Sequence, residues 1–93
     1  MTASLGPEAR FRRRPDLLER DCLDGFVVYD PSTERLHVLN EAARFVWQRC
    51  ESCTLAEIAA EASGAAGIGV ETAAVHVTRA VRLLLEQGLV DER

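Results

Sequence analysis

Between residues 17 and 39 the apolar positions come in short runs broken by turn-forming residues, which is the texture of β-strands rather than helices. Asp24-Gly25 separates residues 17–23 from residues 26–29, and this dipeptide accepts the positive φ of a tight hairpin turn. A second turn falls on Asp30-Pro31-Ser32-Thr33-Glu34. There Pro31 presets φ for the second turn position, and the Asp30 carboxylate can bond back to the backbone. The strand that follows is Arg35, Leu36, His37, Val38 and Leu39. The pattern predicts a three-stranded antiparallel meander, with Leu36 and Val38 on one face, His37 and Leu39 on the other, and an outer strand left as an open edge.

After Leu39 the period becomes helical. Asn40 is an N-cap type, Glu41 is an acid in the first turn, and Ala43, Val46, Trp47 and Cys50 fall on one stripe, predicting a first helix to about residue 50. Thr54-Leu55-Ala56-Glu57 has the spacing of a capping box, and the apolar face Leu55, Ile58, Ala59 and Ala62 follows it. This second helix is expected to stop at Ser63-Gly64. Residues 64–69 then read as a flexible connector with Ile68 pinned into the core. A third helix over 70–87, roughly 27 Å long at helical rise, carries Val70, Ala74, Val77, Val81, Leu84 and Leu85 as its predicted core stripe, and Gly88 is its stop. Leu89 and Val90 are expected to fold back onto the sheet or the helices. The order β-β-β-α-α-α predicts an α+β fold, winged helix-turn-helix-like, with the three-stranded antiparallel sheet ahead of the three helices.

Composition narrows the picture without changing it. Ninety-three residues, 47% hydrophobic and 28% charged, suit one globular domain. Residues 1–14 carry four Arg and one Glu, whereas residues 15–93 carry seven Arg and fourteen acids. The reading is therefore a flexible basic arm, residues 1–14, ahead of a single acidic domain, residues 15–93. An acidic body disfavours general nucleic-acid binding, which needs a basic face against phosphates. No apolar run approaches the ~18 residues of a membrane span and no export segment follows Met1, so no membrane association and a cytoplasmic location are expected.

Candidate chemistry is sparse. Cys22, Cys50 and Cys53 are an odd set read as thiols; Cys50-Glu51-Ser52-Cys53 has the C-x-x-C form but no second pair to complete a zinc site, and it ends a helix rather than beginning one. His37 and His76 have no orienting partner, and no phosphate loop or nucleophile elbow occurs. The chain thus reads as no enzyme, with no cofactor or metal. If the third helix entered a DNA groove it would present Glu71, Thr72, Val75, His76 and Arg79, a poor set for phosphates or bases. A DNA-binding winged helix-turn-helix regulator is the alternative reading.

Val28-Tyr29-Asp30-Pro31, Leu36-His37-Val38-Leu39-Asn40-Glu41-Ala42-Ala43, Val46-Trp47, Thr54-Leu55-Ala56-Glu57-Ile58-Ala59 and Leu84-Leu85-Glu86-Gln87-Gly88-Leu89-Val90 together resemble the PqqD family over about residues 15–90. These are small peptide chaperones, also called RiPP precursor peptide recognition elements. The resemblance implies a scaffold that binds the leader of a ribosomally made precursor peptide, so that a separate maturation enzyme can act on the rest. That enzyme would be a radical SAM enzyme in quinone cofactor maturation, or a leader protease and cyclase in lasso peptide maturation. It further implies that the leader adds as a strand to the third strand, Arg35 to Leu39, in a cleft against the third helix. The helix flank facing that cleft would carry Ala73, His76, Val77, Ala80 and Leu83. Small Ala73 and Ala80 would leave room for a bulky leader side chain, and His76 could donate a hydrogen bond to it.

Overall fold

A computed structural model describes residues 5–23 and 25–93. The elements are β1 (Phe11–Arg13), β2 (Leu18–Cys22), β3 (Gly25–Asp30), β4 (Arg35–Leu39), α1 (Glu41–Arg49), α2 (Leu55–Ala66), α3 (Val70–Glu86) and β5 (Val90–Glu92). The predicted meander is present: β2, β3 and β4 form an antiparallel sheet in that order, with Cys22 opposite Gly25 and Phe26 opposite Leu39. Gly25 has φ +145°, so the hairpin uses the freedom of glycine, whereas its companion Asp24 lies outside the described residues. In the second turn the Asp30 carboxylate accepts from the Ser32 amide at 3.0 Å and the Ser32 hydroxyl at 2.7 Å. These bonds, led by the hydroxyl, hold its carboxyl below the ordinary aspartate range.

The helices cover one face of the sheet. Phe26, Val28 and Leu39 project from that face into the core, where they meet Ala43, Val46, Trp47 and Cys50, the four residues predicted to form the buried stripe of α1. The Asn40 side chain caps α1 by accepting from the Ala43 amide at 2.8 Å. At α2 the capping box is complete: Thr54 accepts from the Glu57 amide, and the Glu57 carboxylate accepts from the Thr54 amide at 2.7 Å. α3 closes at Gly88 (φ +72°), with the amides of Gly88 and Leu89 bonded back to the carbonyls of Leu85 and Leu84. This is the Schellman pattern, which satisfies carbonyls that the helix end would leave bare.

Three expectations are corrected. First, α2 runs through Gly64 to Ala66 and is ended by Gly67 at φ +66°. The Ala65-Ala66 pair propagates the helix and its packing on α3 outweighs the cost of about 1 kcal/mol for one interior glycine; Ile68, just beyond, is partly exposed rather than pinned in the core. Second, the buried stripe of α3 is Ala73, Val77, Ala80, Val81 and Leu84, and Val70 is exposed. Val77, Val81 and Leu84 are buried as expected, and the small residues Ala73 and Ala80 line the same depressions as Ala42 of α1. Third, the basic arm does not stop at the domain boundary. Phe11 is fully buried, and β1 pairs antiparallel with β5, Phe11 opposite Glu92 and Arg13 opposite Val90. The segment before β1 also binds the start of α2, where the Leu55 and Ala56 amides donate to the carbonyls of Ala9 (2.9 Å) and Pro7 (2.8 Å). Those are helix N-terminal donors with no partner inside the helix.

Candidate functional site

The sheet has two outer strands, and their environments differ. Along β2, Glu19 accepts from the Trp47 indole at 2.9 Å and pairs with Arg13 at 3.6 Å, while Asp21 pairs with Arg44 at 2.9 Å. Arg13 in turn lies over the Trp47 ring and bonds Glu51. That edge is flanked by a charged network from β1 and α1. β4 pairs only with β3 among the described residues, so its other side carries unpaired backbone amides and carbonyls, the template for an added strand.

A groove continues from this edge. It starts at the end of β4 in a depression lined by Leu39, Asn40, the hairpin residues Asp21, Cys22 and Gly25, Arg44 and Leu83, which Val38 reaches from the outer sheet face, and it continues past Ala80 to His76 and Ala42. Beyond His76 it opens into a cavity of about 420 Å³ between α1, the end of α2 and the start of α3. The groove walls carry charges of both signs, Glu41 and Glu86 against Arg79 and Arg82. This mixed charge gives no basic track of the kind that phosphates need.

The residues named from the sequence fall into three groups. Val38, Leu39, His76, Ala80 and Leu83 line the groove, and Ala73, His76 and Val77 line the cavity at its end. Ala73, Val77 and Ala80 are themselves buried and form the floor, while His76 and Leu83 stand exposed on the wall. Leu36 lies elsewhere: with Val38 it projects from the outer sheet face, opposite Tyr29 and Val27, and it does not face α3. Arg35 is exposed at the start of β4, opposite Asp30. His37 is half-buried on the inner face, and its Nε2 is buried without a hydrogen-bond partner among the described residues, as is Oε1 of Gln87 at the end of α3. Such an orphan costs about 1–3 kcal/mol of desolvation unless something supplies a partner.

Sequence reasoning missed the α1 and α2 walls of the cavity, including Phe45, Ala62 and Ala66. Their only signal was the run of alanines around Gly64, which reads equally well as a connector. The cysteines do not converge. Cys50 is buried, donates to the Trp47 carbonyl at 3.4 Å, and has its thiol pushed up to about 11 by burial; Cys53 is half-buried and Cys22 is exposed on β2. Among the described residues no group of three or more His, Cys, Asp or Glu is placed to hold a metal ion.

A family model described as "Coenzyme PQQ synthesis protein D (PqqD)" matches residues 25–90, well over half of the sequence. The chain belongs to the PqqD family. The matched segment begins at β3 and ends at the first residue of β5, so the β4 edge and the α1 and α3 walls of the groove fall within it. Among solved structures, the PqqD-family fold described here is similar to "Lasso peptide synthetase B1 complexed with the leader peptide", with a TM-score of 0.79 over 89% of this chain and 99% of that one, at 24% identity. No curated protein matches. No helix of this PqqD-family chain is long and apolar enough to cross a membrane among the described residues.

Proposed function

We propose that the chain is a non-catalytic peptide chaperone. It binds the leader of a ribosomally synthesised precursor peptide as an added antiparallel strand on β4, in the groove walled by α3, and delivers the precursor to a separate maturation enzyme. The observation that carries this reading is the open β4 edge running directly into an apolar-floored groove. Main-chain bonds to the edge supply register and affinity, and alternate side chains of the added strand enter the groove and supply specificity. The similar solved structure was determined with a leader peptide bound, which supports the same use of this fold. Tethering the leader raises the concentration of the attached core peptide at the enzyme, which is sufficient for function without chemistry on the chaperone itself.

Affinity capture from the native host, with mass spectrometry of short peptides and of proteins, tests the reading without presupposing a sequence. The expected recovery is one short precursor peptide with one modifying enzyme. A synthetic copy of that leader should bind the wild-type chain and lose about tenfold or more on Leu83→Asp, because removing an apolar groove contact forfeits about 1.5–3 kcal/mol. Leu83 is 40% exposed, and circular dichroism of the variant checks that the fold is kept. Nucleic acid recovered without a short peptide would contradict the proposal.

A further inference from the structure

Strand addition gives no role to the arginines of the N-terminal segment, which the β1–β5 ribbon holds in fixed places. The ladder extends one rung at each end: the Arg93 amide donates to the Arg10 carbonyl at 2.8 Å, and the Arg14 amide to the Leu89 carbonyl at 3.0 Å. Phe11 turns into the core, so alternation sends Arg10 and Arg12 to the outer face, where Arg93 and Asp91 stand opposite them on β5. At the end of the ladder the exposed Arg14 guanidinium bonds the Gly88 carbonyl at 3.2 Å. These four arginines make a basic ribbon, relieved by Asp91 alone, on a chain whose formal net charge is -4. None of the four lies within ion-pair distance of a carboxylate among the described residues. Two acids within reach of their charge are engaged elsewhere. Glu57 is held low first by the Thr54 amide and only then by Arg10, and Glu51 first by its bond from Arg13 and only last by Arg93.

We propose that this ribbon binds an acidic stretch of the precursor peptide, on the C-terminal side of the stretch that pairs with β4. The inference rests on the proposed strand addition and gives a second part of the peptide a chemical class and a position. A strand antiparallel to Arg35–Leu39 has its C-terminal end at Arg35, which pairs with Asp30 beside the β3–β4 turn. β1 delivers the chain to that same end of the sheet, because Leu18 at the start of β2 pairs with Tyr29 and only residues 14–17 separate β2 from β1. The Asp30 carboxyl, held low chiefly by Ser32, is lowered further by the charge of Arg14. A peptide leaving β4 therefore meets Arg35 and Arg14 first, then Arg12, then Arg10 with Arg93. Taking the gap from the exit to Arg14 as about 10 Å, the reach of one exposed charge on another, about three extended residues cross it. β1 from Arg14 to Arg10 adds about 13 Å, or about four residues more. The acids thus fall within about seven residues of the one opposite Arg35. Guanidiniums suit carboxylates through paired N–H donors, and a charged end fixes the direction in which a peptide lies on the edge. A ribbon of about 13 Å faces too few phosphates to hold a nucleic acid against an otherwise acidic chain.

The test uses a peptide selected on the full chain from a random-sequence library. Single-site N-methylation locates the stretch that pairs with β4, since each methyl group removes one main-chain donor. Three versions then carry a tail on the C-terminal side of that stretch: (Glu-Ser)4, (Gly-Ser)4 or (Arg-Ser)4. The expected order of affinity at low salt is acidic, neutral, basic, with the acidic tail about fivefold tighter than the neutral one, as two or three exposed ion pairs supply. The gain should vanish at about 0.5 M salt and in the double variant Arg10→Ser, Arg12→Ser, whose two positions are exposed. The acidic tail moved to the N-terminal side of the paired stretch should give no gain, because the chain as a whole is acidic. This comparison of sides needs only the wild-type chain and keeps the test valid should the double variant fold poorly. A tail preference that is absent, equal on the two sides, or retained in a folded double variant would overturn the inference and leave strand addition standing. A random-sequence oligonucleotide that binds wild type but not the double variant, with no response to tail charge, would overturn it in favour of a phosphate ligand. Failure of any selected peptide to pair with β4 would overturn strand addition and this inference together.

Discussion

Glu34 closes the β3–β4 turn with φ +58°, a left-handed conformation that costs a residue with a Cβ about 1–2 kcal/mol relative to glycine. Glu34→Gly relieves this strain at the expense of a more flexible unfolded chain, and the net expectation is a gain of about 0.5–1 kcal/mol, a few degrees in Tm. Thermal unfolding checks it, and a lower Tm would show that the Glu34 side chain has a stabilising contact. The same scale explains how the chain uses cations. All eleven are arginines, and three lie over aromatic rings: Arg13 over Trp47, Arg44 over Phe26 and Arg49 over Phe45, the last at 3.6 Å. A planar guanidinium stacks and bonds sideways at once, as Arg13 and Arg44 do toward Glu51 and Asp21, which a lysine ammonium cannot match. The buried Nε2 of His37, like Oε1 of Gln87, has no hydrogen-bond partner among the described residues.

At the scale of elements, the start of α2 shows how completely a helix end can be satisfied. The Thr54 side chain and two carbonyls from the N-terminal segment take its first amides, and Glu57 reaches back to Thr54. Thr54→Ala is expected to cost about 1 kcal/mol, read by denaturant unfolding. The bond from the Thr54 amide holds the Glu57 carboxyl below the ordinary glutamate range. A depressed folded value means that its stabilisation is fully present above the unfolded carboxylate range and is lost as pH falls through the folded value. The stability gap between wild type and Glu57→Ala should therefore close in acid; a gap unchanged on acidification would contradict the cap. This capping box was legible in four residues, as were the Asn40 cap, the α1 stripe and the Gly88 stop, because each depends on local chemistry. The far end of α2 and the alanines of the α3 stripe were not, although Val77, Val81 and Leu84 of that stripe were, because alanine carries no periodic signal of its own and only packing between helices decides which alanines are buried.

For the whole molecule, the two ends of the chain are held together. β1 and β5 join residues 11–13 to residues 90–92, and Phe11 enters the common core. Three consecutive arginines mask this in the sequence: Phe11 reads as an isolated apolar residue before a basic run, and its partner strand lies almost eighty positions away. Phe11→Ala is expected to cost about 3–5 kcal/mol, much of the roughly 5–15 kcal/mol that holds a domain of this size. Truncation before Pro15 should leave the chain largely unfolded, and a stably folded truncate by circular dichroism would contradict the arm's structural role. Of the residues that line the groove, the family resemblance had implied Val38, Leu39, His76, Ala80 and Leu83; the cavity beyond it was hidden because α1 and the end of α2 meet α3 only in the folded chain. Hydrogen–deuterium exchange of the chain with and without its captured leader peptide tests the central claim most directly. Strand addition predicts slowed exchange at the β4 amides within residues 35–39, with β2 unchanged. Protection confined to β2, or peptide binding without any slowing along β4, would contradict it.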